Sequence, residues 1–453
     1  MGEMTVVQPS RHNSQFSQSG RPTSPRHRRW WRPRLKVRLH GGDGEIGGNC
    51  VELRSGKDIV ILDIGRPLTA PRNAVVPLPP IRGLETGRNP HLHGVVISHG
   101  HQDHWGLIPQ VHRNVPRFIG KPTAQILRVA EFWGTGIDLH ETGHLEHLVP
   151  LSLGPFTVTP YLIDHSAFDA YALLVECRGE RVFYTGDFRA HGRKSRLVER
   201  LISDPPADID YLICEGTHVS ASVDTGAADE DDARSANEIV SCASEDEVED
   251  QLTELLTDAD GLVVVLCSPQ NIDRIVSVYR ACLRSDRDMA VDLYGSQVLA
   301  AAGQETIPIP SAQWPRVLTY VTGVQRRRVR RASAFDMTRT ARAHRIFPEQ
   351  LMTRERPLVL AGSFSSEISA LLAMPEVKIS AVVWSMWEGY LSEPSGQRLA
   401  SLLESHGVPL VHAHTSGHAG LADLSRLITA MQPTRLIPIH TEHPDLLHQL
   451  GTS

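Results

Sequence analysis

The feature that most constrains the fold is a group of metal-ligand side chains directly after an apolar segment. His99, His101, Asp103 and His104 fall within six residues, immediately after the strand-like segment 95–98. Imidazole and carboxylate groups are ligands that Zn²⁺, Mn²⁺ and similar ions accept. A loop that leaves a strand end can turn the first two side chains to one point and the last two to another. A solvated polar loop is the alternative, but it does not explain four such ligands together, so the sequence predicts a site for two ions.

Four other residues, one before this group and three after it in the sequence, occupy similar positions at or just after the end of an apolar segment with strand character. His165, Asp187 and His440 supply the further ligands that a pair of ions requires, and Asp187, which follows a glycine, can bind both ions. Asp63 ends another such segment and is predicted to orient a ligand from behind. Taken alone, each of these is more often an ordinary turn residue. Together with the first group they complete two ligand sets.

The spacing of the ligands also predicts the domain organisation. Asp187 and His440 lie about 250 residues apart, so a single site requires the chain to leave one domain and return to it. Segments with strand character dominate the first part, and helices are interspersed, which indicates an α/β protein. The expected parts are a disordered basic tail (1–35), the first part of the metal-binding domain (36–217), an inserted domain (218–396) and the second part of the metal-binding domain (397–453).

Composition excludes several classes of protein. The 453 residues contain no apolar run of the length that spans a membrane and no apolar segment typical of a secretory signal near the N-terminus. The six cysteines include no Cys-x-x-Cys pair, which argues against a disulfide scaffold or a cysteine zinc site. We therefore expect a cytoplasmic protein that uses histidine, of which it has 23, for metal binding.

The net charge of −6 conceals segments of opposite charge. Residues 1–35 contain seven arginines and one glutamate, and this segment is a flexible tail or a basic arm that touches phosphate. The window 224–250 is strongly acidic. A run of arginines between Arg326 and Arg331 either lines a channel for a phosphate backbone or is a solvated loop.

Three common nucleotide and hydrolase motifs do not apply. Gly42, Gly44 and Gly47 match Gly-x-Gly-x-x-Gly, but the chain continues as a strand instead of the helix that a dinucleotide site requires. The sequence contains no phosphate-binding loop of the type Gly-x₄-Gly-Lys-Ser/Thr. Ser416 lies in Ser-Gly-His, which is not the motif of a serine hydrolase nucleophile.

The order of the ligands resembles the motif series of the metallo-β-lactamase superfamily. The segment 214–217, Cys-Glu-Gly-Thr, looks like motif A of its β-CASP branch. The segments 415–420 (Thr-Ser-Gly-His-Ala-Gly) and 438–442 (Pro-Ile-His-Thr-Glu) look like motifs B and C. The ribonuclease J group is the most similar one, on segments 41–49, 185–189 and 360–363, and the resemblance covers about residues 36–445. It implies an αββα sandwich with a dinuclear site at one sheet edge, and an inserted α/β domain of the β-CASP type.

The resemblance also implies a role for each site residue. One ion is expected at His99, His101 and His165, and the second at Asp103, His104 and His440, with Asp187 bridging them. His418 is expected to stabilise charge on the attacked phosphate or to protonate the leaving oxygen, with Glu215 orienting its ring, although His418 could instead cap the following helix. Ser363, Ser416 and Gly417 are weaker candidates for substrate contacts. Two divalent ions are implied, with Zn²⁺ preferred and Mn²⁺ as the alternative.

The function implied is cleavage of single-stranded RNA by a hydroxide that bridges the two ions, as an exonuclease, an endonuclease or both. DNA or a small ester or phosphodiester is the alternative substrate, and an inactive nucleic-acid-binding or regulatory module is the alternative of another class. A homodimer is compatible with the resemblance. The segment 384–390 is acidic and aromatic where the family has serine and proline, which argues against recognition of a 5′ phosphate and leaves base stacking or a place in the core as its role.

Overall fold

The computed structural model describes residues 34–71, 74–219, 243–339 and 341–450. The predicted basic tail lies outside the described residues except for its last two positions, and so does the part of the acidic window between 220 and 242. What was predicted for these segments stays a prediction. Among the described residues, no helix combines the length and the hydropathy needed to cross a bilayer.

Strands form three sheets, and most of them coincide with apolar runs of the sequence. The strands are β1 (Leu35–Gly41), β2 (Cys50–Ser55), β3 (Asp58–Leu62), β4 (Leu92–Val96), β5 (Arg117–Gly120), β6 (Gly143–Leu145), β7 (Leu151–Leu153), β8 (Phe156–Ile163), β9 (Ala170–Cys177), β10 (Glu180–Tyr184), β11 (Tyr211–Glu215), β12 (Leu262–Leu266), β13 (Asp288–Asp292), β14 (Val317–Tyr320), β15 (Arg345–Ile346), β16 (Leu358–Gly362), β17 (Ile379–Trp384), β18 (Leu410–His412) and β19 (Arg435–Ile439).

Helices connect and cover these sheets. They are α1 (Gln102–Trp105), α2 (Lys121–Trp133), α3 (Ser195–Ser203), α4 (Glu245–Asp258), α5 (Ile272–Arg284), α6 (Leu293–Ala301), α7 (Gly323–Arg331), α8 (Asp336–Arg339), α9 (Ile368–Leu372), α10 (Pro394–Ser405), α11 (Leu421–Met431) and α12 (Pro444–Leu450).

Two mixed sheets of six strands pack face to face and form the sandwich. Their orders are β1-β2-β3-β4-β5-β6 and β19-β11-β10-β9-β8-β7. Val51 and Val96 of the first sheet share a buried cluster with Leu173 and Ile213 of the second. The outer face of the first sheet packs on α2 through Leu127, while α3, α11 and α12 cover the outer face of the second. The layers are therefore helix, sheet, sheet and helix, and the predicted αββα architecture is confirmed.

The third sheet is entirely parallel and has the order β15-β14-β13-β16-β12-β17-β18. Its central strand β12 reads Leu-Val-Val-Val-Leu, because both faces are covered. Val263 and Val265 face α4, α5 and α6, whereas Val264 and Leu266 face α9 and α10. The sheet extends to β18, which lies beyond the expected domain boundary at residue 396.

The arginine run between residues 326 and 331 lies in helix α7, so the solvated-loop interpretation is wrong for this segment. Thr322 caps the helix, and its side chain and that of Gln325 form a reciprocal capping box. Arginine has a high helix propensity, and Val329 provides the buried contact. The glycine segment 42–47 leads into strand β2, which agrees with the rejection of a dinucleotide site.

Candidate metal centre

The proposed ligands converge because their strands end at one edge of the sandwich. In the second sheet β10, β11 and β19 are parallel, and β8 runs the same way because two antiparallel pairings separate it from β10. In the first sheet β3 and β4 are parallel. His165, Asp187, Glu215 and His440 therefore leave or end their strands on one side, opposite the loop that follows β4 and carries His99.

The side chains form overlapping groups of possible ligand atoms. In each group the atoms lie within 4.8 Å of one another. Asp187 belongs to two of the groups, as expected for a shared ligand. The groups are His99, His101, His165 and Asp187; Asp103, His104, Asp187 and His440; and Glu215, His418 and His440.

Asp63 organises one side of the centre. Its carboxylate accepts hydrogen bonds from the Ser98 hydroxyl at 2.7 Å and the Tyr184 hydroxyl at 2.6 Å, and lies 2.8 Å from His104 Nδ1. The Ser98 oxygen, having donated its proton to Asp63, can accept from His99 Nδ1 at 3.0 Å. In both histidines Nδ1 is thus engaged and Nε2 is left to face the centre.

The opposite side of the centre is built in the same way. His440 Nδ1 lies 2.8 Å from the Thr217 hydroxyl, and its Nε2 lies 3.1 Å from an oxygen of Asp103. His165 Nδ1 lies 2.5 Å from the backbone oxygen of Gly417, which fixes the proton on Nδ1 and leaves Nε2, 3.1 Å from His101 Nδ1, as the possible ligand atom. Neither Thr217 nor Ser98 was predicted as a site residue, although Thr217 lies in the motif A segment.

Two orphaned atoms show that a metal fits the residues present. His99 Nε2 and Asp187 Oδ1 are buried and have no hydrogen-bond partner among the described residues. Buried polar groups without a partner are costly, and both atoms are ligand atoms that point into the proposed sites. Burial, followed by repulsion from neighbouring histidines, holds the pKa of His99 and His165 well below the usual range, so both are neutral, as ligands must be.

The carboxylates of the centre are ionised. Burial alone would raise the pKa of Asp187, but His104 and His440 outweigh it and hold the pKa well below its usual range. His104 and His440 likewise outweigh burial at Asp103 and lower its pKa to about 2. Both side chains are nearly inaccessible to solvent. Buried negative charge of this kind requires compensating positive charge, which divalent cations supply.

His418 sits beside this centre and contacts Glu215. Its Nδ1 lies 3.2 Å from Glu215 Oε2 and 3.9 Å from an oxygen of Asp187. Glu215 itself is fixed by the backbone N–H of Phe188 at 2.8 Å and by the Thr217 hydroxyl at 2.7 Å. Burial would lower the pKa of His418, but the Glu215 carboxylate raises it to about 9. Helix α11 begins at Leu421 with Gly420 as its N-cap, so His418 does not cap it.

Two buried arginines, neither predicted, hold the loop that carries His418. Arg189 donates to the backbone oxygen of Ser416 at 3.1 Å and to Glu245 at 3.2 Å. Arg274 donates to Glu245 at 2.9 Å and to the Ser385 hydroxyl at 2.7 Å. Both guanidinium groups are fully buried. Arg189 stands in the Thr-Gly-Asp-Phe-Arg segment, which was the available sequence signal.

Of the three weaker candidates, two lie at the centre and one does not. The Ser416 hydroxyl lies 2.6 Å from His218 Nε2, and Gly417 contacts His165. Ser363 lines a cleft of about 370 Å³ in which none of the proposed ligands takes part. The cleft residues are Thr135, Cys267, Ser268, Pro269, Gln270, Tyr294, Gly362, Ser363, Ser365, Ser366 and Met386.

Sequence comparisons match the chain to ribonucleases. A family model described as "RMMBL: Zn-dependent metallo-hydrolase RNA specificity domain" matches residues 410–449, which include His418 and His440. Ribonuclease J of Helicobacter pylori (strain B128) is 21% identical over 430 residues, which is 90% of this chain and 56% of the relative. Ribonuclease J of Mycobacterium tuberculosis (strain H37Rv) is 23% identical over 435 residues, covering 90% of this chain and 68% of the relative. The chain thus spans little more than half the length of the first relative.

A solved structure shares the fold. The crystal structure of a protein of unknown function from Enterococcus faecalis V583 superposes with a TM-score of 0.69 over 91% of this chain and 95% of the other. The two sequences are 19% identical, so the likeness concerns the fold alone.

Proposed function

We propose that the chain is a ribonuclease J-like member of the β-CASP branch of the metallo-β-lactamase superfamily, and that it hydrolyses phosphodiester bonds of single-stranded RNA with divalent metal ions. The observation that carries the proposal is the pair of ligand groups that share Asp187. The ribonuclease relatives and the RNA-specificity family model support RNA as the polymer. The proposal covers both exonucleolytic and endonucleolytic cleavage.

His99, His101 and His165 would hold one ion, and Asp103, His104 and His440 the other, with Asp187 shared between them. We propose Zn²⁺, with Mn²⁺ as the alternative, because histidine and carboxylate ligands suit both. Two such ions, when bound, supply an activated water and neutralise charge on the attacked phosphate.

The protein's own groups position the substrate and move a proton. His418 Nδ1 is engaged by Glu215, so Nε2 is the atom that can donate to the leaving oxygen or to the charged phosphate. Glu215 acts through His418, and Thr217 touches both rings, which keeps the proton donor and the ligand His440 in one arrangement. Arg189 fixes the backbone of Ser416 and with it the loop in front of the centre.

The proposed domains follow from the sheets. The metal-binding sandwich would comprise residues 36–217 and a C-terminal part that includes β19, and the inserted β-CASP domain would begin near residue 218. Because β18 pairs with β17 in the third sheet, we place the end of the insertion after His412 and not at residue 396.

The test is cleavage of end-labelled single-stranded RNA and DNA by the metal-loaded chain, with and without EDTA. We expect RNA fragments that disappear with EDTA and with Asp187→Ala, while an exposed-histidine control, His406→Ala, cleaves normally. Cleavage of DNA alone, or of small phosphodiesters alone, would replace the proposed substrate. No cleavage by a chain shown to contain metal would favour an inactive binding module. Comparison of 5′-phosphate with 5′-hydroxyl RNA then separates the modes of attack.

A further inference from the structure

Helix α7 is an exposed surface of concentrated positive charge outside the metal centre. Five of its nine residues are arginines, none is acidic, and all five arginines are exposed. Among the residues that the structure describes, none of the five forms an ion pair with a carboxylate, whereas the neighbouring Arg339 pairs with Asp336. The five are Arg326, Arg327, Arg328, Arg330 and Arg331.

The helix holds this charge at a cost to its own stability. Arg326 and Arg330, and likewise Arg327 and Arg331, are four residues apart, where like charges repel. The helix dipole favours arginines in the last turn, but it does not explain Arg326 and Arg327, which lie towards the positive N-terminal end. The capping box at Thr322 holds the helix together despite this repulsion. A polyanion bound to the helix would relieve the repulsion between its arginines.

Helix α7 contacts two residues that are sequence neighbours of residues lining the cleft that contains Ser363. At the N-terminal end, the backbone N–H of Gly323 donates to Glu367 at 2.8 Å, and Glu367 directly follows Ser366 of the cleft. Further along the helix, Arg328 Nη2 lies 3.6 Å from the position that a Cβ atom on Gly134 would occupy. Gly134 precedes Thr135, which lines the cleft.

Helix α2 connects this region to the metal centre and sets a length scale. Its residue Thr123 lies 3.0 Å from the Cβ position of Gly100, between the ligands His99 and His101, and the chain then runs to Thr135 at the cleft. The helix continues from Thr123 to its end at Trp133, ten residues that extend about 15 Å. A polymer that reaches α7 from the metal centre is therefore several nucleotides long.

We propose that α7 binds the phosphate backbone of single-stranded RNA several nucleotides from the bond that is cleaved, an inference that rests on the proposed function. Arginines without internal counter-ions suit phosphates. Exposed aromatic rings also accompany them: Phe335 and Phe347 are 60% and 44% exposed, and Arg345 lies 4.5 Å over the ring of Phe347. Alternating cationic and aromatic groups are typical of surfaces for single-stranded nucleic acid rather than for acidic proteins.

The experiment compares two pairs of arginine substitutions in the full chain. Arg326→Gln/Arg330→Gln removes two charges from α7, and glutamine preserves the helix propensity. The matched control, Arg196→Gln/Arg200→Gln, removes two exposed charges at the same spacing from α3. Fluorescence anisotropy measures binding of a 30-nucleotide and a 6-nucleotide RNA in EDTA at several salt concentrations, and circular dichroism verifies that the variants are folded.

We expect the α7 variant to bind the long RNA about tenfold more weakly at low salt. The slope of the logarithm of the binding constant against the logarithm of salt concentration should be smaller by about 1.4, since each phosphate contact to a single strand contributes about 0.7. Binding of the short RNA and both affinities of the control should stay within about twofold, as expected for residues that contact no phosphate. If the α7 variant shows the same salt slope as the wild type, the inference is wrong, but the proposed cleavage of RNA is not affected. If the α7 variant binds polyglutamate more weakly than the wild type does but binds RNA equally well, an acidic protein would be the partner instead. A wild-type chain that binds no RNA would overturn the proposed function as well.

Discussion

At the scale of single residues, the centre depends on side chains that would not bind an ion themselves but hold the residues that would. Asp63 is the clearest case, because its one buried carboxylate accepts hydrogen bonds from the hydroxyls of Ser98 and Tyr184 and contacts the ring of His104. Its backbone has φ of 57°, a conformation that aspartate and asparagine tolerate better than other residues. A substitution by asparagine therefore tests the charge and the acceptors without straining the turn.

Asp63→Asn should weaken metal binding by about 10- to 100-fold, as is typical for partners of ligating histidines. The amide would present a donor to groups that already donate, so His104 would lose its fixed orientation. Competition with a chromophoric zinc chelator measures the affinity. Asp58→Asn is the control, since Asp58 also contacts two histidines, His91 and His93, but outside the centre. Equal metal affinity for Asp63→Asn and wild type would contradict the assigned role.

His418 should separate metal binding from chemistry. His418→Ala is expected to keep its metal content and to lower kcat on RNA by about 10²- to 10⁴-fold, the range for a proton donor. The exposed His406, whose ring contacts only Leu402 and Ser405 of helix α10 among the described residues, is the control and should be nearly neutral when replaced by alanine. Metal analysis beside single-turnover cleavage rates makes the distinction. If His418→Ala lost its metal, the residue would belong to the ligand set.

The sequence predicted the proposed ligands, with Asp63 behind them, but not most of the other residues that hold them. His99, Asp187 and His440 could be found because each stands next to an apolar run and carries a side chain suited to metals. Ser98 and Thr217 are common polar residues, and their contacts depend on how two sheets meet, which no local pattern records. The same reason applies to Arg189, whose partners are 25 to 227 residues away.

At the scale of elements, segments with a clear apolar pattern were predictable, and some short strands without one were not. The apolar period of residues 421–431 predicts a helix and the alternation in 156–162 predicts a strand, and α11 and β8 agree with these bounds to within one residue. Strands β5 and β14 have four residues each, and β5 begins with the buried Arg117, whose charge conceals the strand. Helix α7 was predictable in principle, since Thr322 and Gln325 have the spacing of a capping box.

The buried ion network joins helices α4 and α5 to the loop before α11. Arg274 of α5 is fully buried and donates to Glu245 and Ser385, and burial of Glu245 is outweighed by Arg274 and Arg189, which lower its pKa to about 2. Arg274→Met should lower the free energy of unfolding by about 3 kcal/mol or more, because a buried carboxylate loses a partner.

Denaturant unfolding of Arg274→Met beside Arg284→Met provides the matched comparison within one helix. Arg284 is about half exposed and pairs with the exposed Asp250, so its removal should lower the free energy of unfolding far less than Arg274→Met does. Similar losses for the two variants would mean that the network is not a separate source of stability.

At the scale of the whole molecule, metal binding should act on one part of the structure more than on another. Every proposed ligand lies at the ends of strands in the two sandwich sheets or in loops beside them, and the third sheet, β12 to β18, supplies none. Ligands that bind only the folded state stabilise it by mass action, about 2.7 kcal/mol at 100 times Kd. That stabilisation should be concentrated where the ligands attach.

Removal of metal with EDTA should therefore increase amide hydrogen exchange in the loops after β3, β4, β8, β10 and β19, and leave β12, β13 and β16 nearly unchanged. The physical reason is that bound ions would link His440 to the ligands before residue 188, whereas the core of the third sheet is closed by its own apolar contacts. Mass spectrometry of exchanged peptides locates the change, and Asp187→Ala, which lacks the shared ligand, should resemble the chelated wild type and respond little to EDTA. A uniform increase across all three sheets would mean that metal stabilises the chain as a single unit, and no increase in a chain shown to bind metal would place the ions elsewhere.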